Sequence, residues 1–224
     1  MSERSASSAV GFARRAPIRR ERSRFLRLLA FLLLVSGLGL VAGALIAIGY
    51  AINHQYQLNQ HWQQTIASAP PPRQAKEPPP ASMLHPVNGV DFAIRVPKID
   101  YFAAVQEGVS SNILDIGPGH YPETKWPGQV GTVGVAAHNT YWLKFADLKA
   151  GDAVILETRY GTFRYRVTGT RLVLPDDRTV LVPNTRDRRL TLTTCWPLWA
   201  GAWATQRLII FTVEVSPNER ITQT

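Results

Sequence analysis

Three side chains in the C-terminal half of the sequence have the types and positions needed for catalysis by a thiol. Cys195 lies where a predicted strand gives way to a turn, His138 ends another predicted strand, and Arg207 opens the strand that follows Cys195 along the chain. A side chain at the end of a strand can be both held in place and exposed. If the strands on either side of the intervening loop pair as a hairpin, Cys195 and Arg207 meet at one end of a sheet.

These side-chain types divide the steps of acyl transfer among them. The thiolate is the nucleophilic form of cysteine, and a free thiol with a pKa of about 8.5 is only slightly ionised at neutral pH, so nearby positive charge would assist Cys195. His138 can protonate a leaving amine and deprotonate an incoming one near pH 7. Arg207 keeps its charge and can donate to an oxyanion or a substrate carbonyl. Thr194 could add a further hydrogen bond.

Each candidate also has an interpretation without chemistry. A lone cysteine is most often a small buried hydrophobic residue, and an arginine at a strand end is most often a solvated cation. A second histidine, His120, lies in the turn-like segment Gly-Pro-Gly-His-Tyr-Pro. We interpret it as a locally hydrogen-bonded turn residue and place the catalytic role on His138.

The loop after Cys195 is unusually aromatic, since it contains Trp196, Trp199 and Trp203. Such a loop either packs onto its own domain or forms a wall of a substrate groove, and both interpretations are open. We therefore name these tryptophans, together with Thr194, as candidate substrate-binding residues. The sequence predicts no metal site and no cofactor, because it has a single cysteine and no acidic cluster with the spacing of a calcium loop.

The elements that must position these side chains are predicted to be strands. From residue 87 onward, short apolar runs alternate with Gly, Pro, Asp and Asn, a pattern typical of strands joined by turns. The predicted strands cover residues 90–99, 131–138, 152–159, 161–174, 188–195 and 207–215. Short helices are expected near 110–115 and 141–148. Many short strands in one domain predict an all-β barrel or sandwich.

The motifs of this domain resemble those of the sortases, a family of membrane-anchored cysteine transpeptidases. The run Thr191–Cys195 matches the family's TLxTC motif, and Arg207 opens the next strand as the family's arginine does. His138 closes the segment where a sortase has its histidine. Residues 94–99 resemble the opening strand of the family, and residues 117–122 resemble its G-x-G-H segment. The resemblance extends in order over residues 90–215.

This resemblance implies an eight-stranded β-barrel with short helices and an active-site groove formed by strand ends. It also implies that Cys195 attacks a carbonyl in an LPXTG-like sorting signal of a protein substrate. A thioacyl enzyme forms, and an acceptor then takes the acyl group. The acceptor is an amine of a peptidoglycan stem peptide, a lysine of a protein, or water. His138, Cys195 and Arg207 are the catalytic residues that the resemblance implies.

Two features depart from the common pattern of the family. Asn139 stands where many sortases have an arginine directly after the histidine, and the tryptophan-rich loop is short. A compact domain with Trp-Pro after the cysteine resembles the sortases of Gram-negative bacteria that serve one dedicated substrate.

An uncharged apolar segment near the N-terminus predicts a membrane anchor. Residues 28–52 contain no charged side chain, and a helix of that length crosses a hydrocarbon core of about 30 Å. A buried core helix is rarely so apolar over this length, and the apolar stretch of a cleaved signal peptide is shorter, about 7–15 residues. Eight Arg and two Glu lie in residues 1–27, so the positive-inside rule predicts a cytoplasmic N-terminus.

The sequence therefore predicts a single-pass protein of the cell membrane with its catalytic domain outside. The predicted parts are a basic cytoplasmic tail at 1–27, a transmembrane signal-anchor helix at 28–52, an extracytoplasmic stalk with a Pro-rich linker at 53–86, the catalytic barrel at 87–216 and a C-terminal tail at 217–224. Six prolines between residues 70 and 80 make that linker a semi-rigid spacer. The basic tail is expected to touch anionic lipid.

Two rival functions stay open from the sequence. An L,D-transpeptidase-like enzyme also uses cysteine and histidine on a β-scaffold, but those enzymes typically have glycine before the cysteine and arginine within two residues after it. Thr194 and Trp196 flank Cys195 instead. The other rival is a non-catalytic, membrane-tethered β-domain that binds an envelope partner through the tryptophan loop. A nucleic-acid partner is not expected, because six of the nine net positive charges lie in residues 1–27.

Overall fold

The computed structural model describes residues 18–69 and 78–215, without the side chains of 18–23 and of Arg178. Most of the predicted basic tail, part of the Pro-rich linker and the predicted C-terminal tail lie outside the described residues. Two compact units divide the chain between Ile48 and Gly49. A long helix, α1, runs from Ile18 to Ala67.

Eight strands close into a barrel, which confirms the predicted fold class. Their order around the barrel is β1-β2-β3-β4-β7-β8-β6-β5, and β5 pairs with β1 to close it. The pairs β2–β3 and β4–β7 are parallel, and the other pairs are antiparallel. The strands are β1 Val90–Val96, β2 Tyr101–Glu107, β3 Gly119–His120, β4 Gly131–Ala136, β5 Ala153–Thr158, β6 Gly161–Val173, β7 Arg188–Trp196 and β8 Gln206–Glu214.

Short helices join the strands, as expected. A four-residue helix, α2, covers Ser111–Leu114, and 3₁₀ segments include Leu143–Asp147, Arg178–Leu181 and Leu198–Trp203.

Alternating side chains explain why these segments form a barrel with one filled core. In β6, Phe163, Tyr165 and Val167 are buried, and the polar residues between them face outward. In β7, Leu190 and Leu192 are fully buried. These side chains belong to one continuous apolar cluster inside the barrel, so removing their apolar surface from water stabilises the closed sheet.

Two strands, β2 and β3, were not among the predicted ones. β2 follows β1 after a 3₁₀ segment at Pro97–Ile99 and a left-handed residue, Asp100, with φ 51°. The predicted first strand ran through this turn to residue 99. β3 consists of only two residues, which pair with β2 and β4. Its place in the sheet follows from tertiary contacts, because two residues carry no periodic pattern.

The apolar part of α1 has exposed side chains along its length. Its most hydrophobic 18-residue window has a mean hydropathy of 2.6 and is 0% buried. Leu28, Phe31, Leu34 and Leu38 are among its exposed side chains. By length and composition, this is the one helix in the described residues that is suited to crossing a membrane.

The last part of α1, within the second unit, packs onto the barrel. Leu58 and Trp62 are buried and belong to the main core. The side chain of Asn59 accepts a hydrogen bond from the backbone N–H of Ala104 at 2.7 Å. Gln55 donates to the carbonyl of the same residue at 3.1 Å. The stalk predicted from residue 53 is therefore joined to the domain through this part of the helix.

These two amides satisfy an exposed sheet edge. β2 pairs with β3 over two residues only, so the backbone of Ala104 has no strand partner on that side. An unpaired strand edge recruits other chains unless it is covered. Gln55 and Asn59 are also hydrogen-bonded to each other at 2.8 Å, four residues apart on one helix face. The helix thus covers the edge with a side-chain pair that mimics a backbone partner.

Replacing Trp62 by alanine should destabilise the barrel through this contact. Trp62 is 1% exposed, and truncating a buried tryptophan typically costs about 3–5 kcal/mol. We expect the free energy of unfolding to fall by about 3 kcal/mol in urea denaturation of the full chain in detergent micelles. The neighbouring variant His61→Ala, at an exposed position, should be nearly neutral. Equal stability of the two variants would show that the helix is not docked in solution.

Candidate active site

The pairing of β7 with β8 sets the position of the candidate nucleophile. Cys195 lies directly opposite Arg207 in the antiparallel register, and Thr193 lies opposite Ile209. Because side chains two residues apart share a face, these four form two adjacent rows on the outer face of the sheet. The hairpin geometry expected from the sequence thus places the thiol beside a guanidinium.

β4 brings the histidine to the same end of the sheet. It pairs in parallel with β7 up to Ala136 opposite Thr193, and the N–H of Ala137 donates to the carbonyl of Thr193 at 3.2 Å. His138 therefore lies two residues beyond Ala136, the last residue of β4, whereas the sequence pattern predicted it as the last residue of that strand.

A single cleft of about 370 Å³ is lined by His138, Cys195 and Arg207. All three are partly exposed, so each can reach a bound molecule. Thr194 also lines the cleft but is 2% exposed, and its hydroxyl has no hydrogen-bond partner among the described residues. Thr194 shares the inner face of β7 with Leu190 and Leu192, whereas Cys195 and Thr193 lie on the outer face.

The connection between β6 and β7 forms an apolar wall of this cleft. Val173, Val180 and Ile209 form a small buried cluster on the outside of the sheet, with Leu181 against it. The same four side chains line the cleft. An extended peptide could therefore bury apolar side chains along this wall while its backbone passes the thiol.

One carboxylate of the cleft is held by its own loop. Asp177 accepts hydrogen bonds from the N–H and the hydroxyl of Thr179, at 2.9 and 2.6 Å. These bonds lower the pKa of Asp177, with a smaller contribution from Arg171. Asp177 is therefore ionised at neutral pH and adds negative charge to the cleft that Arg207 also lines.

His138 itself faces a different carboxylate. Its Nε2 atom lies 3.2 Å from Oδ1 of Asp115, in the loop after α2. The hydroxyl of Tyr141 donates to the backbone carbonyl of Asp115. Burial, and then the Asp115 carboxylate, raise the pKa of Tyr141, so this hydroxyl stays protonated. No local sequence pattern points to Asp115, because it lies far from His138 along the chain.

Comparison with known proteins matches the chain to one family. The model of the Sortase domain matches residues 94–215, more than half of the chain. The chain belongs to the sortase family. It is 30% identical to Sortase D of Bacillus subtilis (strain 168) over 119 residues, which cover 53% of this chain and 60% of that protein.

Solved structures of sortases share the barrel. A sortase D5 transpeptidase of Clostridium perfringens superimposes with a TM-score of 0.59 at 20% identity, over 72% of this chain and 98% of that one. Sortase E of Streptomyces avermitilis gives a TM-score of 0.51 at 29% identity, over 59% of this chain and 91% of that one. The predicted likeness to the Gram-negative subfamily remains a prediction.

The tryptophans of this sortase fall into two groups. Trp196 is partly buried and packs against the main core. Trp199 and Trp203 are 85% and 88% exposed, on the β7–β8 connection, and neither lines the cleft that contains Cys195. One tryptophan thus fits the interpretation of packing onto the barrel, and the other two present apolar surface to solvent.

Asn139 stands where many sortases have an arginine, and here it is buried and contacts the backbone of its own turn. It is 3% exposed, its side-chain oxygen accepts from the N–H of Thr140 at 3.1 Å, and its backbone carbonyl accepts from the N–H of Trp142 at 3.1 Å. Trp142 is fully buried. The turn that carries His138 is therefore anchored to the core directly after the histidine.

His120 lies outside the cleft, in a buried polar cluster. Its Nδ1 is 2.7 Å from the carboxylate of Asp91, and its Nε2 is 3.1 Å from the carbonyl of Lys125. Nε2 also lies 3.2 Å from the hydroxyl of Thr124, which donates its own proton to Tyr121. Both ring nitrogens therefore face acceptors. His120 lies in β3 and not in the turn that the sequence predicted. Its contacts with Thr124 and Lys125 are local, but Asp91, on β1, is a long-range partner.

The described residues contain no group of three or more His, Cys, Asp and Glu side chains that could hold a metal ion.

Removing the Asp91 carboxylate should unfold the barrel more readily without touching the cleft. Both Asp91 and His120 are about 1% exposed, and breaking a buried pair from one side typically costs about 3–5 kcal/mol. We expect Asp91→Ala to lower the free energy of unfolding by about 3 kcal/mol, measured by urea denaturation of the full chain. The exposed-site variant Asp147→Ala serves as the control. An Asp91→Ala protein as stable as this control would contradict the buried pair.

Proposed function

We propose that this sortase is a membrane-anchored cysteine transpeptidase that cleaves an LPXTG-like sorting signal and transfers the acyl group to an amine of the cell envelope. The observation that carries the proposal is the meeting of Cys195, His138 and Arg207 in one cleft on a sortase barrel. A thiol, a proton-exchanging ring and a permanent cation are the set needed for acyl transfer through a thioester.

The first half-reaction makes the thioester. The Cys195 sulfur attacks the carbonyl carbon of the scissile peptide bond, and Arg207 donates to the oxygen as it gains negative charge. The C–N bond then breaks as His138 gives a proton to the leaving nitrogen. In the second half-reaction an incoming amine attacks the thioester, its proton passes to His138, and the thiolate leaves.

The apolar wall of the cleft supports a peptide substrate with apolar residues before the scissile bond. The side chains of Val180, Leu181 and Ile209 offer contacts to such residues. We assign Thr194, which lines the cleft beside Cys195, to binding of the signal, and Trp199 and Trp203 to a contact with the protein substrate or the acceptor. Trp196, the other tryptophan named from the sequence, packs against the core and does not line the cleft. A pair of exposed indoles on one short loop is typical of an interaction surface.

The apolar part of α1 supports the membrane anchor. Its exposed apolar side chains would meet lipid, and the basic residues before it support a cytoplasmic N-terminus by the positive-inside rule. The catalytic domain would then act outside the membrane, where sorting signals and envelope amines are found.

Mass spectrometry of the intact full chain in detergent micelles tests this function. The chain is incubated with a library of LPXTG-type peptides, with and without amines. We expect a thioacyl adduct that is absent from Cys195→Ala and that amines resolve faster than water does. If no peptide forms an adduct and Cys195 resists a small alkylating reagent as well, the proposed chemistry is wrong and a binding module is favoured.

Arg207→Lys should separate the charge of Arg207 from its geometry. Lysine keeps the positive charge but loses the planar fork of donors that can follow a developing oxyanion. We expect kcat for adduct formation to fall about 100-fold, the usual cost of one oxyanion donor. Arg164→Lys, at an exposed position of β6, is the matched control. A wild-type rate in Arg207→Lys would remove Arg207 from the oxyanion site.

A further inference from the structure

We propose that Thr193 is a substrate-binding residue whose hydroxyl donates a hydrogen bond to the backbone of the sorting signal, two residues before the residue that Cys195 attacks. This inference rests on the proposed function, since it assigns a part of the same cleft. The threonine named from the sequence was its neighbour Thr194, which lies on the other face of β7.

The hydroxyl of Thr193 is unpaired in the wall of the cleft. The side chain is 8% exposed and lines the cleft that contains Cys195. Its oxygen has no hydrogen-bond partner among the described residues. Buried hydroxyls are normally hydrogen-bonded, and leaving one unpaired destabilises a protein. The hydroxyl of Thr193 therefore gains a hydrogen bond when a polar group binds beside it.

The neighbouring strands explain why Thr193 has no partner within the sheet. Ala136 of β4 lies beside it in parallel register, and Ile209 of β8 lies opposite it in antiparallel register. Neither side chain has a polar atom. The floor of the cleft is therefore apolar on both sides of one hydroxyl. A site of this kind favours a ligand that offers a polar atom at one defined point.

The hydroxyl can be presented to a bound peptide by rotation of the side chain. Thr193 belongs to the outer row of β7 that also carries Cys195. Rotation about χ1 takes a threonine side chain from one staggered position to another and exchanges its hydroxyl and methyl group. Because this side chain lines the cleft, such a rotation turns the hydroxyl toward the peptide.

The spacing along β7 selects the part of the signal that lies over Thr193. Thr193 and Cys195 are two residues apart, which is about 6.6 Å in a strand, and an extended peptide advances about 3.3 Å per residue. A peptide that runs along β7 with its attacked carbonyl at Cys195 therefore places the second residue away over Thr193. Ile209, opposite Thr193, belongs to the apolar wall that receives the residues before the scissile bond.

In an LPXTG-like signal cleaved after its threonine, this residue is the proline. Proline has no N–H, so its backbone offers only a carbonyl, which accepts hydrogen bonds. A threonine hydroxyl can donate one. The hydrogen bond therefore runs from Thr193 to the proline carbonyl, and it holds the peptide in register before Cys195 attacks.

Other polar side chains of the cleft are not placed for this contact. The carboxylate of Asp177 accepts two hydrogen bonds from its own loop. Thr194 lies on the inner face of β7, and Arg207 lies opposite Cys195, at the level of the attacked carbonyl. Thr193 is therefore the hydroxyl on the outer face of β7 that matches the residues before the scissile bond.

The experiment combines variants of the full chain in detergent micelles with two peptides. One peptide carries an LPXTG-type signal that forms the thioacyl adduct, and the other has the amide after its proline replaced by a trans-alkene, which removes the proline carbonyl. Thr193→Val removes the hydroxyl at nearly constant shape, and Thr193→Ser keeps it. The readouts are KM and kcat of transpeptidation and the thermal midpoint, Tm, of each protein.

The matched control is Thr212→Val. Thr212 lies on β8, is 2% exposed and does not line the cleft of Cys195. Its hydroxyl donates to the carbonyl of Leu190 at 2.9 Å. The same substitution at this position therefore breaks a hydrogen bond of the fold. Thr212→Val should lower Tm by about 2–4 °C and leave KM unchanged.

We expect Thr193→Val to raise KM about five-fold, the usual effect of one lost hydrogen bond, with kcat within about two-fold of wild type. Its Tm should be no lower than that of wild type, because its hydroxyl has no partner to lose in the fold. Thr193→Ser should keep KM within about two-fold of wild type. The increase in KM caused by the alkene should be about five-fold smaller in Thr193→Val than in wild type.

Three results would overturn the proposal while leaving the proposed function intact. They are a wild-type KM in Thr193→Val, an alkene effect equal in Thr193→Val and wild type, and a fall in Tm like that of Thr212→Val, which would show a hydrogen bond within the fold instead. If wild type forms no thioacyl enzyme with any peptide, the proposed function fails and the assignment of Thr193 fails with it.

Discussion

The register of β7 against β8 is the constraint on which the candidate site depends. It places Cys195 across from Arg207, and a slip of one residue would turn the thiol toward the interior and the core residues outward. The register is fixed by Leu190, Leu192 and Ile210, which are fully buried on the inner face. The packing that buries these core side chains therefore also sets the position of the candidate nucleophile.

Around this hairpin, the barrel keeps its reactive side chains at strand ends and its polar anchors inside. The segment 117–120 makes structural contacts. A Cβ on Gly117 would collide with Gln55 of the docked helix, and one on Gly119 would collide with the carbonyl oxygen of Gly108. His120 adds a buried pair with Asp91. The histidine-containing segment 117–120 thus packs against α1 and connects β3 to β1.

The docked end of α1 gives the catalytic domain a part of its own core. Trp62 and Leu58 fill apolar space, and the amides of Gln55 and Asn59 cover the open edge of β2. Gln55 also lies against Gly117, two residues after Asp115. The helix therefore packs close to the loop that contacts His138, so that loop is held by the fold as well as by its own hydrogen bonds.

Local patterns in the sequence were sufficient for the fold class, most of the strands and the residues that meet in the cleft. Apolar and polar residues alternate along β6 and β7, and the motifs around Cys195, His138 and Arg207 are short runs of neighbouring residues. Such local patterns predict strands and strand ends without knowledge of the tertiary structure. The confirmed eight-stranded barrel followed from the family resemblance that these motifs carry.

Tertiary structure alone decided the rest, because the remaining contacts join residues with no common local pattern. The two-residue strand β3, the docking of Trp62, the Asp91 partner of His120 and the approach of Asp115 to His138 each require the closed barrel. The neighbours of a side chain across a barrel depend on strand order and register, and neither can be read from a single sequence. The sequence therefore determined which groups could react, and the fold decided which residues surround them.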